Sequence, residues 1–381
     1  MSAIRHLWDR ARPVAAVPLG AVILGLVVAG LVALVSSVFT PQGFDPLLPF
    51  KVYAGLFGGA FLGLDHITST LVNATPLIVA GLAVGLGFKA GLFNIGARGQ
   101  FLLGAVMAAG IGPMFATSPA FIAIPIALGA AALAGAVWGF IPGALKAWTG
   151  AHEVVTTIML NFIGASLVSY LVLNFFQAPG FSFARTGPLG NAELPTLGFL
   201  SPDLDRLNLG ILIALLLVPA IWWLLFRSTL GFEIRTVGAN PDAARYAGMR
   251  PAFLTILTMS LSGMLAGTAG GLEILGATHY MPASYGSSVG FDSIAVALLG
   301  RSHPVGILLA ALLFGALRAG AGPMQLDAHI PVELVDVIQA VILLFLAADV
   351  IVRRLLRIRR AKPPLAAVEA SADSYAKQTS L

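Results

Sequence analysis

The sequence predicts an all-α polytopic membrane protein with about ten transmembrane helices and both termini in the cytoplasm. Its mean hydropathy is +0.91, and only 10% of its 381 residues are charged, against about a quarter in soluble globular domains. Its apolar residues form continuous runs, whereas a membrane β-barrel needs alternating strands of about ten residues. The chain has no cysteine, so disulfides, cysteine-ligated metals and thiol catalysis are excluded.

The N-terminal apolar run is predicted to be a retained first span. It extends from about Val14 to Phe39, longer than the roughly 7–15 apolar residues of a signal peptide. The following residues, 41–64, contain three prolines and predict an interfacial segment. The other nine spans are predicted at about 66–88, 99–116, 120–147, 152–173, 209–226, 251–272, 289–300, 304–321 and 332–352.

Two segments differ from ordinary transmembrane spans. The segment 289–300 is too short to cross a hydrocarbon core of about 30 Å as a straight helix, so it either begins upstream or is re-entrant. Residues 353–381 carry a basic stretch and then a polar tail, which predicts a disordered cytoplasmic segment. The domain organisation is therefore a transmembrane domain over 1–352, followed by this tail.

The distribution of basic residues sets the orientation. With the N-terminus inside, ten spans place 18 of the 22 Lys and Arg residues in the cytoplasm, as the positive-inside rule requires. The external side keeps Lys51, Arg185, Arg206 and Arg318. The net charge of +5 thus reflects membrane orientation and does not indicate nucleic-acid binding.

The loop between the spans at 209–226 and 251–272 predicts one short cytoplasmic helix. Asn240 can cap it, Pro241 fits the first helical position, and Asp242 favours the positive end of the helix dipole. Gly248 can adopt the left-handed conformation that ends it. The helix is too small to bury itself. It is either a docking element for another protein or a capped connection between two spans.

Polar residues in three further segments are candidates for a transport pathway or gate. They lie in 87–105, 150–164 and 273–306, where polar groups interrupt apolar runs and are costly unless they meet another helix or a water-filled path. Each has a structural alternative: a packed turn with Arg98 among lipid headgroups, helix–helix hydrogen bonds, or a helix-start residue. The candidates are Asn94, Gln100, Glu153, Thr157, Asn161 and Asp292.

No catalytic machinery is visible in the sequence. There is no GxxxxGK[ST] phosphate-binding loop, so the chain itself is not expected to hydrolyse ATP. The six histidines show no metal-ligand spacing, and no nucleophile elbow is present. The sequence therefore predicts neither a catalytic residue nor a metal site.

Four motifs carry a resemblance to a known family. The sequence resembles the inner-membrane permease subunits of ABC importers in the branched-chain amino acid, ribose and nucleoside group. The residues of its motifs are most similar to those of the nucleoside branch. The motifs, in chain order, are GLFNIGARGQFLLGA at 91–105, HEVVTTIMLNFIG at 152–164, IRTVGANPDAARYAGM at 234–249 and GFDSIAVALLGRSHPVG at 290–306.

The resemblance implies a role for the short cytoplasmic helix. In such a family the loop 227–250 holds the coupling helix, which docks on the ATPase and transmits its closure. The residues expected to couple are Gly238, Asn240, Pro241, Asp242, Ala243, Ala244, Tyr246 and Gly248.

The resemblance also implies partners, location and cargo. The expected partners are a second related permease, one or more ABC ATPase subunits, an extracytoplasmic binding protein and the lipid bilayer of a bacterial inner membrane. ATP and Mg²⁺ would bind the ATPase, so this chain is expected to bind no cofactor. Nucleosides are the expected cargo, with a simple sugar such as ribose, or a flavin, as alternatives. A stand-alone secondary carrier or channel is the alternative from a different class.

Overall fold

The computed structural model describes residues 2–38, 44–198 and 201–348, and the predicted tail at 353–381 lies outside this part. The described chain is helical, with isolated β-bridges only. Its α-helices are α1 (Ser2–Ser37), α2 (Leu48–Phe61), α3 (Leu64–Lys89), α4 (Ala97–Ile111), α5 (Ala120–Thr149), α6 (Glu153–Asn174), α7 (Gly210–Arg227), α8 (Thr229–Ala239), α9 (Pro241–Tyr246), α10 (Pro251–Glu273), α11 (Val289–Leu299), α12 (Pro304–Ala328) and α13 (Glu333–Ala347).

Each of the ten predicted spans coincides with a helix, but not all of these helices are long enough to cross a membrane. In the described part, seven are long and apolar enough: α1, α3, α5, α6, α7, α10 with its π-helical extension, and α12. The helices α4, α11 and α13 have 15, 11 and 15 residues, about 22, 17 and 22 Å of helix. The all-α membrane architecture is confirmed, and the count of ten spans stays a prediction.

A seam of glycines holds the centre of the bundle together. Gly135 and Gly139 of α5 face Gly263 and Gly267 of α10, and a β-carbon on Gly267 would lie 2.9 Å from the Cα of Gly135. Gly104 of α4 also packs against Gly267, because a β-carbon on Gly104 would lie 2.6 Å from the carbonyl carbon of Gly267. Small residues at four-residue spacing let helix backbones touch, which is how membrane helices gain packing energy without a hydrophobic driving force.

The predicted interfacial segment contains α2, which packs along α12. A β-carbon on Gly55 would lie 2.8 Å from the Cα of Met324, and one on Gly320 would lie 2.8 Å from the carbonyl carbon of Leu56. Near its start, Lys51 pairs with Asp45 at 2.7 Å. This segment is therefore a helix fitted closely against the bundle.

The connection between α6 and α7 covers one end of the bundle. It contains two 3₁₀ turns, Gly190–Ala192 and Pro202–Leu204, and its backbone bonds to the segment after α10. The N–H of Thr186 donates to the Met281 carbonyl at 3.0 Å, and that of Leu194 donates to the Leu275 carbonyl at 2.8 Å. α8 and α9 lie at the opposite end, because α7 runs from this cap to α8.

Candidate functional site

The helix α9 is capped as its sequence predicts. The Asn240 side-chain oxygen accepts hydrogen bonds from the N–H groups of Asp242 and Ala243, both at 3.0 Å. Pro241 occupies the first turn, and Gly248 has φ +82° just beyond the helix end. The predicted start and stop signals of this helix are confirmed.

One face of α9 is anchored, and the other is open. Ala244 is fully buried in a small apolar cluster that is separate from the main core. Tyr246, two residues later, is 95% exposed. This small cluster is formed by Ala90, Leu92, Ile234, Val237, Ala244, Leu254 and Met259. The helix is therefore fixed to the bundle by one side, while its outer side presents polar groups and one aromatic ring.

α8 joins α9 to the turn that follows α3 through a contact between two backbones. A β-carbon on Gly238 would lie 2.8 Å from the backbone nitrogen of Gly91, and one on Gly91 would lie 2.9 Å from the Gly238 carbonyl oxygen. Gly91 also has φ +69°, a conformation that favours glycine. With no side chain between them, a displacement of α8 must displace this turn.

Aromatic and cation–π contacts join helices at the same end of the molecule. The Arg235 guanidinium lies 5.3 Å from the ring centre of Phe226, and the rings of His303 and Trp222 lie 5.5 and 6.4 Å from it. Burial lowers the pKa of His303, and the positive charge of Lys89 lowers it further. His303 is therefore expected to be neutral near pH 7, and the contact joins α7, α8 and the start of α12.

Beyond Gly91 the chain turns back into the bundle. The Asn94 amide donates to Gln100 at 2.9 Å and to the Ser262 hydroxyl at 2.8 Å, and Ser262 donates to the Ala83 carbonyl at 2.7 Å. Ser262 lies 11 residues beyond Pro251, about 16 Å along α10, or roughly half of a hydrocarbon core of about 30 Å. The 90–96 segment is thus re-entrant, and α4 begins near the middle of the bundle.

Of the candidates on α6, Asn161 holds this re-entrant turn. Asn161 accepts a bond from the Gly99 N–H at 2.8 Å and donates to the Ile95 carbonyl at 3.0 Å. Glu153 forms an ion pair with Lys146, and the Thr157 hydroxyl donates to the Glu153 carbonyl at 2.7 Å. The buried side chains of Asn94 and Asn161 therefore position the backbone of the turn. Gln100 bonds to the Asn94 side chain, and Thr157 bonds within α6. The role of these residues in the pathway stays a prediction.

Asp292 is paired with a basic residue that sequence reasoning placed elsewhere. It lies in the first turn of α11 and forms an ion pair with Arg318, which also contacts Ser288. The assignment of Arg318 to the external surface is wrong. α12 continues to Ala328, so Arg318 lies 14 residues, about 21 Å, from the start of this helix.

Two of the three short helices at predicted spans, α4 and α11, begin beside one another. A β-carbon on Gly290, at the start of α11, would lie 2.8 Å from both the nitrogen and the Cβ of Arg98, at the start of α4. The Arg98 guanidinium lies over the Phe291 ring, 5.0 Å from its centre. The sequence missed this meeting, although glycines flank Arg98 and precede Phe291, and a glycine is the signal for a close backbone approach.

Metal ligation finds no support in the described residues. Among residues 16–38, 44–198 and 201–348, whose side chains the structure describes, no group of three or more His, Cys, Asp or Glu could hold an ion.

Comparisons with known proteins identify relatives over most of the chain. The family described as branched-chain amino acid transport system / permease component matches residues 66–347. The guanosine ABC transporter permease NupP of Bacillus subtilis is 41% identical over 302 residues, 79% of this chain and 86% of that protein. The nucleoside permease NupB of Lactococcus lactis is 37% identical, over 81% of this chain and 86% of that protein. The glucose permease TsgB13 of Haloferax volcanii is 36% identical, over 80% and 82%.

Proposed function

Because the chain belongs to the permease family of branched-chain amino acid transport systems, we propose that it forms half of a nucleoside pathway through the membrane. It is a multi-pass membrane permease subunit of an ABC importer and is not itself an enzyme. Such a permease implies an ATPase and an external binding protein. The second half of the pathway is assigned to a related permease subunit, and ATP and Mg²⁺ to the ATPase.

The similarity to two nucleoside permeases carries the choice of cargo. The guanosine and nucleoside permeases are 41% and 37% identical to this chain. A simple sugar is the second candidate, because a glucose permease is 36% identical over a similar share of the chain. Nucleosides contain a sugar as well as a base, so the two cargo classes share vicinal hydroxyl groups.

The orientation follows from where the basic residues gather. α3 and α7 end, and α10 and α12 begin, at the end of the bundle that holds α8 and α9. Lys89, Arg227, Arg235, Arg245 and Arg301 lie at this end, which supports its placement in the cytoplasm. Ten spans with both termini inside agree with this arrangement.

The outer face of α9 is proposed to dock on the ATPase. Ala244 anchors the helix by packing into the small apolar cluster, and the hydrogen bond from the Asp242 N–H to the Asn240 side chain stiffens its start. The contact between Gly238 and Gly91 then passes any movement of α8 and α9 to the re-entrant turn. ATP-driven closure of the ATPases would favour one of two arrangements of this unit and so open the pathway to one side.

The pathway is proposed to run past the re-entrant turn and the start of α11. Asn94 and Asn161 fix the backbone that lines it, Gln100 holds the Asn94 side chain, and Thr157 packs against Gly96. Glu153 anchors α6 at the cytoplasmic mouth. Asp292 and Arg318 lie at mid-depth, where charged groups are costly unless they serve a polar path.

Replacing Gly248 by valine tests the rigidity of this unit. No atom lies within 4 Å of a β-carbon at this position, so the substitution acts only through the φ of +82°. An L residue in this conformation costs about 1–2 kcal/mol, and more when β-branched. We expect reduced ATP-dependent uptake with normal membrane insertion. Gly286→Val, at an open position with ordinary φ, is the control, and normal uptake by Gly248→Val would contradict the coupling role.

The cargo is tested by uptake into proteoliposomes that contain the assembled transporter. ATP-dependent accumulation of labelled guanosine, unaffected by a protonophore, supports the proposal. Accumulation of glucose without guanosine would replace nucleosides by the sugar alternative. Uptake that a protonophore abolishes and ATP depletion does not would indicate a secondary carrier.

A further inference from the structure

The most unusual charge in the molecule is that of Arg98. It lies two residues after Gly96, in a segment held by Asn161 and by Ser262 through Asn94. This places it near the middle of the bundle, where an arginine is costly unless it is paired or faces a polar cavity. In the part of the chain that the structure describes, Arg98 has neither an ion pair nor a side-chain hydrogen bond, and its Nε is buried without a partner.

The other arginine placed at similar depth is already paired. Arg318 is neutralised by Asp292 and also contacts Ser288. The Arg98 guanidinium lies over the ring of Phe291, a residue that is 43% exposed. A lone cation and an open aromatic face therefore stand side by side.

The helix geometry adds to the positive potential at this point. α4 and α11 both begin here, and the β-carbon position of Gly290 lies against the backbone of Arg98. Helix N-termini carry unsatisfied N–H groups and a partial positive charge. Asp292, the acidic residue in the first turn of α11, is held by Arg318. The junction of α4 and α11 therefore favours a ligand group rich in hydrogen-bond acceptors.

We propose that Arg98 and Phe291 recognise the base of a 6-oxopurine nucleoside, such as guanosine or inosine, as it passes the junction of α4 and α11. The inference rests on the proposed nucleoside function and deepens it. The guanidinium would donate to the O6 and N7 acceptors of the base, a pairing for which arginine has the matching bidentate geometry. The phenyl ring would stack on the flat face of the purine.

This assignment explains why a cation suits a neutral cargo. O6 and N7 are adjacent acceptors, so the site can gain two hydrogen bonds without an anion on the substrate. Adenosine presents an amino donor in place of O6, so it would form only one of these two hydrogen bonds with Arg98. Stacking acts on every base, because each has a π-face. Arg98 thus sets the preference among purines, and Phe291 sets the general affinity for bases.

The test is uptake by the complete transporter, in proteoliposomes with one and the same external binding protein. The Michaelis constants of labelled guanosine and adenosine are measured for the wild type, Arg98→Gln and Phe291→Leu. The compared quantity is the ratio of the guanosine Michaelis constant to the adenosine Michaelis constant. All samples contain the same binding protein, so its preference between the two nucleosides cancels when the ratio of a variant is compared with that of the wild type. Arg185→Gln is the matched control, because Arg185 also lies over aromatic rings, 4.0 Å from Phe181 and Tyr280, but in the loop after α6.

We expect Arg98→Gln to weaken guanosine uptake about tenfold or more, since a bidentate pair discriminates by about that factor, and to change adenosine uptake little. Phe291→Leu is expected to weaken both substrates by similar factors. Arg98→Lys, which keeps the charge and loses the planar fork, is expected to give an intermediate ratio. The control is expected to leave the ratio unchanged.

Equal losses for guanosine and adenosine in Arg98→Gln would overturn the inference and assign Arg98 to a structural pair, for example with the second permease. An Arg98→Gln ratio equal to that of the wild type, in a transporter whose wild type does carry guanosine, would overturn the inference alone. A wild type that carries glucose and no nucleoside would overturn both the inference and the proposed cargo. If Arg98→Gln does not assemble, the ratio in Arg98→Lys decides, and a ratio equal to that of the wild type overturns the inference.

Discussion

Gly238→Val is expected to uncouple transport from ATP while leaving the bundle assembled. Any side chain here must push α8 away from the turn at 89–91, because the β-carbon would lie within 2.8 Å of three backbone atoms: the Lys89 carbonyl oxygen, the Ala90 carbonyl carbon and the Gly91 nitrogen. Overpacking of this kind raises the free energy of the close-packed arrangement by about 1–3 kcal/mol. A change of about 1.4 kcal/mol lowers the equilibrium population of that arrangement about tenfold. We expect a loss of ATP-dependent uptake of about tenfold or more, measured in proteoliposomes.

Gly322→Val is the control for this experiment. Gly322 also lies in a helix, but no atom stands within 4 Å of its β-carbon position. It should transport normally. ATP hydrolysis by the Gly238→Val complex should continue without matching uptake, since the outer face of α9, the proposed docking surface for the ATPase, is unchanged. Tightly coupled uptake in this variant would show that the contact with Gly91 does not carry the movement.

Gly267→Val is expected to prevent the bundle from forming. Gly267 is where α4, α5 and α10 meet, and its β-carbon would lie 2.9 Å from the Cα of Gly135 and 3.0 Å from its nitrogen. Three backbones cannot separate locally, so the strain should exceed that of an ordinary core substitution. The expected result is little or no monodisperse protein in mild detergent, measured by fluorescence-detected size exclusion.

Gly129→Val provides the comparison for the glycine seam. It lies on α5 as well, and no atom stands within 4 Å of its β-carbon position, so this variant should accumulate at the wild-type level. If Gly267→Val accumulates equally well, the close packing of α5 on α10 is not what holds the bundle.

Hydropathy and capping located the helices at the ten predicted spans and α9, but α8 was not predicted: one helix was expected between α7 and α10, and the structure has two. Gly231 and Gly238 lower the helix propensity of this segment, so its helical signal is weak. Each predicted span lies over a helix, because continuous apolar runs and proline or glycine punctuation are local signals. The ends of α9 were predictable for the same reason: Asn240, Pro241 and Gly248 act on neighbouring backbone. The side chain of Ala244 gave no local sign of its burial, because the small cluster beneath it draws on α3, α8 and α10.

The depth of polar residues was not predictable from the sequence. Arg98 stood in a loop between two apolar runs, so a position among lipid headgroups was a reasonable alternative. Its contact with Gly290 depends on how far the 90–96 segment re-enters, which the hydrogen bond from Asn94 to Ser262 on another helix fixes. Arg318 was misplaced because the pairing with Asp292 is likewise a tertiary contact.

The central claim is that Asn240–Tyr246 is the docking element for an ATPase, and a pull-down tests it most directly. The tagged full-length chain is purified from native membranes in mild detergent, and the co-purifying proteins are identified by mass spectrometry. A variant in which a Gly/Ser linker of equal length replaces these residues loses the rigid helix. The account predicts an ABC ATPase and a second permease with the wild-type chain, and loss of the ATPase from the variant. A chain that purifies alone, or a variant that retains the ATPase, would contradict it.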